Sequence, residues 1–133
     1  QSLDDTAQPF MVSMTSQNIQ ELLTVEQTIA TSSRWLPAGR EKLFQYHNSY
    51  PNDGYLNLWS GLVRQQHEQH TEAVSNFINA INLGCNHWRV AWYLAQSSLK
   101  INDLTTTANA LRAILQIEPN FAPAQEMWRH LSS

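Results

Sequence analysis

The residues with the strongest potential for metal chemistry are two histidines flanked by glutamates. His67 and His70 lie three residues apart, with Glu68 and Glu72 close by. On a single helix, two histidines at this spacing can hold a metal ion. The neighbouring helical patterns instead predict a turn at these residues, and the sequence places no third ligand near them. We therefore predict a solvated turn and no metal site.

A second pair, Cys85 and His87, has the residue types of a thiolate nucleophile and its base. The sequence supplies no orienting group and no oxyanion donors, so we expect Cys85 to be a small, buried apolar side chain. The adjacent Asp4 and Asp5 are interpreted as solvated charges. The four glycines are too dispersed to form a phosphate-binding loop. These observations predict a protein without enzymatic activity and without a cofactor.

The elements that position these residues follow a repeat of 34 residues. The tripeptides Tyr50-Pro51-Asn52, Gly84-Cys85-Asn86 and Glu118-Pro119-Asn120 lie at that interval, and Asn18 shares their register. Asparagine is a favoured N-cap because its side-chain oxygen accepts hydrogen bonds from the first turn of a helix. Proline just before it ends the preceding helix. We therefore predict that the four aligned asparagines cap the starts of helices.

Residues 54–87 and 88–121 form two units with the same pattern of side-chain classes. Each unit is predicted to contain two helices of about three turns, with turns near His67–Thr71 and Ile101–Thr105. Asp103 is the expected cap of its unit's second helix. Small side chains are expected to let helices approach closely at Gly61, Ala73, Ala80 and Ala95. The expected packing positions pair as Leu56 with Val90, Leu58 with Trp92, Trp59 with Tyr93, Gly61 with Ala95, Phe77 with Leu111, Ala80 with Ile114, Ile81 with Leu115, and Leu83 with Ile117.

The flanking segments carry weaker versions of the same pattern. Residues 18–30 have apolar side chains at helical spacing, and Asn18 with Glu21 resembles a capping box. Residues 31–36 are expected to break that helix and Pro37 to lie in the first turn of the next, whose short apolar face is Leu43, Phe44, Tyr46 and His47. Ala122–Leu131 is predicted to form a last helix that covers the end of the stack with Met127, Trp128 and Leu131. Residues 1–16 are interpreted as a leader or linker.

A 34-residue helix–turn–helix unit with these classes resembles the tetratricopeptide repeat (TPR). The second unit matches at Gly61, Ala73, Phe77 and Ala80, with Cys85 where proline is usual. The third matches at Leu94, Ala95, Leu111 and Pro119, with Thr107 and Ile114 where alanines are usual; the first matches only at Leu43 and Pro51. The resemblance covers about Asn18 to Leu131. It implies an all-α, right-handed superhelix of about seven helices, formed by a domain at 17–133 with repeats at about 18–53, 54–87 and 88–121 and a capping helix at 122–132.

In the family, the first helix of each pair lines a concave groove that binds an extended peptide or a partner helix. The resemblance therefore implies a protein–protein interaction module. Core packing is an open alternative for Tyr55 and Trp92 and is the stronger expectation for Leu58 and Leu62. Only Arg89 and Lys100 could grip a terminal carboxylate, so a chaperone-tail receptor is not expected. Carried over by register, the partner-binding residues are Tyr55, Leu58, Leu62, Gln65, Gln66, Arg89, Trp92, Gln96, Leu99, Lys100, Glu126 and His130.

Charge and composition exclude several other classes of partner. The net charge is −3 and only 14% of residues are charged. A duplex nucleic-acid binder needs a basic footprint, which is missing, and attachment to anionic lipid needs the same. No apolar run approaches the ~20 residues that cross a bilayer. We expect a cytoplasmic location, a protein or peptide partner, and neither nucleic acid nor membrane as a partner.

Two alternatives remain open at this point. The chain begins at Gln1, so we expect an excerpt of a longer protein or a processed product. It is then also compatible with the TPR region of a larger bacterial enzyme, such as a glycosyltransferase or methyltransferase. The other alternative is a self-assembling scaffold in which solenoid ends and exposed aromatic side chains form a homo-oligomer.

Overall fold

The computed structural model describes residues 43–45 and 47–132, and within these residues all regular structure is helical. Residues 43–45 and 47–49 are helical and precede α1. Each complete helix packs against the next one along the chain, and α1 also contacts α3. The expected all-helical class is confirmed for this part of the chain. The five complete helices are α1 (Gly54–Gln66), α2 (His70–Asn82), α3 (Trp88–Lys100), α4 (Leu104–Ile117) and α5 (Ala122–Ser132).

Helix starts recur at an interval of 34 residues: α1, α3 and α5 begin at 54, 88 and 122, and α2 and α4 begin at 70 and 104. The turns inside the two pairs have the same geometry. Glu68 and Asn102 are left-handed, with φ of 61° and 62°. The N–H of Gln69 donates to Arg64 O at 2.8 Å, and the N–H of Asp103 donates to Ser98 O at 2.9 Å. These bonds close the same type of helix-ending turn, at the two places where turns were predicted.

The predicted asparagine caps are wrong by one residue. Asp53 caps α1, its Oδ1 accepting from the N–H of Leu56 at 3.0 Å. His87 caps α3, its Nδ1 accepting from the N–H of Arg89 at 3.2 Å. Asn52, Asn86 and Asn120 therefore each lie two residues before the first residue of a helix. The expectation for Asp103 is confirmed, since its carboxylate accepts from the N–H of Thr106 at 3.2 Å.

The core lies between consecutive helices, and at Gly61 two of them approach closely. A Cβ added at Gly61 on α1 would lie 2.6 Å from Cε1 of Phe77 on α2, a ring that is fully buried. The Phe77 ring also contacts that of Tyr93 on α3, with ring centroids 5.8 Å apart. This confirms that small residues let the helices approach closely. The other predicted small residues are fully buried as well: Ala73, Ala80 and Ala95.

Most paired packing positions are buried, but the last pair is not. Leu83 and Ile117 are 38% and 60% exposed, so their predicted packing role is wrong. Leu83 follows the last residue of α2 and Ile117 is the last residue of α4, where the chain leaves the helix interface. On α5, the three expected contacts are confirmed, because Met127, Trp128 and Leu131 are partly buried against the core.

The first unit is described only from residue 43 onward. Leu43 is buried in the core, and Phe44 is packed against it. The predictions for the leader at 1–16, the helix at 18–30, the cap at Asn18, the break at 31–36, Pro37 and Tyr46 lie outside the described residues.

Candidate interaction surface

The accessible surface of α3 is one narrow stripe. Seven of its thirteen residues are buried: Val90, Ala91, Tyr93, Leu94, Ala95, Ser97 and Ser98. After Trp88, the remaining residues are half-buried or exposed: Arg89, Trp92, Gln96, Leu99 and Lys100. They recur at steps of three and four residues and therefore share one face of the helix. These five are the residues that the sequence assigned to the groove on this helix.

Trp92 is held in place by an aromatic cluster that joins α3 to the start of α5. Its ring meets the ring of Phe121 edge-on, with centroids 5.2 Å apart and planes at 87°. Trp88 on α3 contacts the same ring, with centroids 4.9 Å apart. Trp92 is half-buried as a result, so its indole combines an internal contact with an accessible surface. Sequence reasoning did not assign Phe121 to this cluster.

The two basic residues of the stripe lie at opposite ends of α3. Arg89 is half-buried, and its guanidinium carbon lies 5.6 Å from the centre of the Trp88 ring, within the range of a cation–π contact. Lys100 is exposed in the last turn. The stripe therefore places an indole and an amide between two cations, and its Trp and Arg are residue types enriched among the anchors of protein interfaces.

The α1 residues assigned to the groove require correction. Tyr55, Leu58 and Leu62 are 2%, 0% and 4% exposed, and all three belong to the hydrophobic core. No partner can reach these side chains in this structure. The repeat register located the positions, but burial depends on the helices that pack around α1.

Gln65 has a structural role, because its side chain is hydrogen-bonded within the molecule. Its side-chain Nε2 donates to Tyr93 O and to Ser97 Oγ, both at 2.9 Å, and so ties the end of α1 to α3. His70 at the start of α2 shares the same hydroxyl, with Nδ1 at 3.0 Å from Ser97 Oγ. Gln66 is half-buried. The α1 end of the surface is thus held together by a hydrogen-bonded junction.

On α5, Glu126 and His130 are both exposed and lie one turn apart. Glu126 is hydrogen-bonded to Arg129 and its Oε1 lies 3.2 Å from His130 Nε2. The bond and the charge of Arg129 hold the pKa of the Glu126 carboxyl below its ordinary value, with smaller contributions from His130. The carboxylate on this helix is therefore already paired with its own neighbours.

The residues that suggested catalysis or metal binding are placed for structural roles. Cys85 is buried, and burial together with the nearby charge of Asp53 raises the pKa of its thiol to about 12. The expected buried apolar role is confirmed. Burial also lowers the pKa of His87, whose Nδ1 is occupied by its capping bond. Among residues 43–45 and 47–132, no group of three or more His, Cys, Asp or Glu side chains is placed to hold a metal ion.

One triad-like arrangement was not found from the sequence. Ser60 Oγ lies 3.0 Å from His47 Nδ1, and Asn57 Oδ1 lies 3.0 Å from His47 Nε2. This is the order of a nucleophile, a base and an orienting group. Ser60 is fully buried, so no substrate reaches its hydroxyl. Separations of ten and thirteen residues carry no local signal that could have predicted these contacts.

A groove of about 390 Å³ lies where the end of α2 meets α3 and α4. No Asp, Glu, Lys or Arg lines it, and its polar residues are Asn86, His87, Thr106 and Asn109. The repeat pattern did not predict this groove, because it forms between three helices. Its apolar walls include Ile81, Trp88, Ala91, Leu94, Ala110 and Ile117.

Comparison with protein-family models, with curated proteins and with solved structures found no match for this chain. In the part of the chain that the structure describes, no helix combines the length and the apolar character that crossing a bilayer requires.

Proposed function

We propose that this chain is a TPR-like solenoid that acts as a protein–protein interaction module and binds an extended peptide or partner segment. The 34-residue recurrence supports the repeat interpretation, because helix starts, turn hydrogen bonds and left-handed residues recur at the same interval. Helices that pack mainly on their sequence neighbours are also the packing expected of a repeat array.

The accessible stripe of α3 is the observation that carries the proposed function. A helix with more than half of its residues buried leaves a strip that is partly accessible, and this strip holds Arg89, Trp92, Gln96, Leu99 and Lys100. Tryptophan and arginine are the side chains that most often dominate binding energy. We infer that the stripe is the centre of the binding surface and that Glu126 and His130 lie at its edge.

The partner in this proposal is a polypeptide, recognised at short range. With few charged residues, the chain offers little long-range electrostatic steering. Recognition then depends on aromatic contact with Trp92 and on hydrogen bonds to Gln96. The cytoplasmic location and the exclusion of nucleic acid stay predictions of the sequence.

The proposal is tested by comparing captured proteins between the wild-type chain and three variants. Trp92→Ala and Arg89→Glu alter the stripe, while Arg112→Glu makes the same charge reversal on α4, where Arg112 is exposed. Proteins from the native host are captured on each immobilised chain and quantified by mass spectrometry, and far-UV circular dichroism verifies helix content.

A true partner is retained by the wild-type chain and by Arg112→Glu and is depleted by both stripe variants. Loss of an interface anchor costs about 2 kcal/mol or more, which is roughly a 30-fold loss of affinity. Equal retention by all four chains, with helix content unchanged, would exclude the stripe as the binding surface.

A further inference from the structure

The helix that precedes α1 is joined to it by a polar contact at His47. Phe44 and His47 lie three residues apart and therefore share a face of their helix. Phe44 lies under the guanidinium of Arg64, with the guanidinium carbon 4.6 Å from its ring centre. His47 bonds to Asn57 and Ser60, earlier on α1. The earlier residue, Phe44, contacts the end of α1, and the later residue, His47, contacts its beginning, so the two helices run antiparallel.

The hydrogen bonds of Asn57 determine which nitrogen of His47 carries the proton. The side-chain Nδ2 of Asn57 donates to Pro51 O at 3.0 Å and to Asp53 O at 2.9 Å. Those two carbonyls fix the orientation of the amide and leave Oδ1 as an acceptor toward His47 Nε2. Nε2 therefore carries the hydrogen. In neutral imidazole Nδ1 is then an acceptor, and the hydroxyl of Ser60 donates to it.

Protonation of His47 disrupts this arrangement. A hydrogen on Nδ1 would point at the hydroxyl hydrogen of Ser60, which must rotate away and find another acceptor in a fully buried site. Leaving a buried polar group without its partner is unfavourable. Neutral His47 satisfies both hydrogen bonds as they stand, whereas charged His47 requires the Ser60 hydroxyl to turn away from it.

The charged groups around His47 act in both directions. Burial lowers its pKa from 6.5, the hydrogen bond to Asn57 raises it, the Arg64 guanidinium on α1 lowers it, and the Asp53 carboxylate before α1 raises it. Burial also raises the pKa of Asp53 itself. In acid, Asp53 becomes neutral and no longer favours a charged His47. The described residues of the helix that carries His47 include no Asp, Glu, Lys or Arg.

We propose that His47 is a pH-sensitive contact that holds the helix ending at residue 49 against α1 near neutral pH and releases it in mild acid. Because the folded pKa lies below the unfolded one, the folded state binds fewer protons between the two values. The stability given by neutral His47 is therefore fully present above pH 6.5. It is lost as the pH falls through the folded pKa.

Two measurements on the full chain test this proposal. The first is the ¹⁵N NMR spectrum of the wild-type histidines, which reports tautomer and pKa without any substitution. We expect His47 to be protonated on Nε2 at neutral pH and to titrate below the ordinary histidine range. Protonation on Nδ1, or titration within the ordinary range, overturns the proposal.

The second measurement is amide hydrogen exchange between pH 7.5 and pH 5, corrected for intrinsic exchange rates. In the wild-type chain, protection of residues 43–45 and 47–49 should fall relative to protection of α4. In His47→Gln this relative fall should disappear, while His130→Gln, which removes an exposed histidine, should keep it. The same relative fall in His47→Gln, or none in the wild-type chain, overturns the proposal. Should His47→Gln not fold, the wild-type titration decides the question.

Discussion

The close contact between Gly61 and Phe77 makes one substitution informative. An alanine Cβ at 61 would lie 2.6 Å and 2.8 Å from two atoms of the Phe77 ring and 3.1 Å from Asn76 Cβ. Ordinary contacts begin at 3.4 Å. The ring is fully buried and has the ring of Tyr93 beside it, so it has no open space to move into. Gly61→Ala must therefore push α1 and α2 apart.

Two opposing effects set the size of the change. Overpacking of a core costs about 1–3 kcal/mol, and the buried ring places this site in the upper part of that range. Replacing glycine by alanine inside a helix returns about 1 kcal/mol of helix propensity. We therefore expect Gly61→Ala to lower the free energy of unfolding by about 1–2 kcal/mol.

The third unit has a pair of buried residues at these positions in which an alanine is accommodated. Ala95 and Leu111 occupy the positions 34 residues after Gly61 and Phe77, and both are fully buried. Transferring that pair as Gly61→Ala with Phe77→Leu removes the ring atoms that clash. In the Phe77→Leu background, Gly61→Ala should therefore stabilise the fold by up to ~1 kcal/mol. The sign of the alanine effect should depend on residue 77.

Urea denaturation followed by circular dichroism measures all four chains of this cycle. We expect a coupling energy of about 2–3 kcal/mol, at the upper end for residues in direct contact. A Gly61→Ala effect that is the same in both backgrounds would refute the geometry on which this reasoning depends. A stabilising effect in the wild-type background would show that the helices separate at no cost.

Three further predictions concern single sites. Because burial raises the pKa of Asp53, the stability of the wild-type chain should fall relative to that of Asp53→Asn as the pH rises through the folded pKa of Asp53. Thermal unfolding of both chains from pH 3 to pH 8 measures this difference, and a difference that stayed constant would contradict the prediction. The hydroxyl of Thr107 is fully buried, donates to Asp103 O at 2.9 Å and lies 2.7 Å from Ser98 Oγ. Thr107→Val should therefore lower the free energy of unfolding by about 1–2 kcal/mol. Thr107→Ser keeps the hydroxyl and should lower it less in the same urea titration. Glu68 has a φ of 61°, so Glu68→Gly should raise the unfolding free energy by about 0.5–1 kcal/mol, and a loss of stability would argue against the left-handed turn.

Sequence reasoning succeeded where a feature depends on residues close together in the chain. The turns between paired helices and the cap at Asp103 follow from local hydrogen bonding, and both were predicted. It failed by one residue at the start of α1, where Asn52 and Asp53 are both suitable caps. The structure uses Asp53, whose Oδ1 accepts from the N–H of Leu56. Gly54 then lies in the first turn against Cys85, where a Cβ would be 2.9 Å from the sulfur.

The residues assigned to the candidate surface also divide into those that lie on an accessible face and those that packing buries. The register of the TPR resemblance assigned Arg89, Trp92, Gln96 and Lys100 to one face of α3, and that face is the accessible one. The same register assigned Tyr55 to the corresponding face of α1, where it is buried. A periodic pattern identifies which residues share a face but not what packs on it.

The amino-acid sequence by itself determined the helical class of the described residues, the 34-residue period and the positions of the turns, because these depend on backbone hydrogen bonds and side chains within a few residues. Tertiary structure alone decided which faces stay accessible, how the ring of Phe77 is accommodated, and that His47, Asn57 and Ser60 meet. Such contacts join residues distant in the chain, so they exist only once the helices have packed.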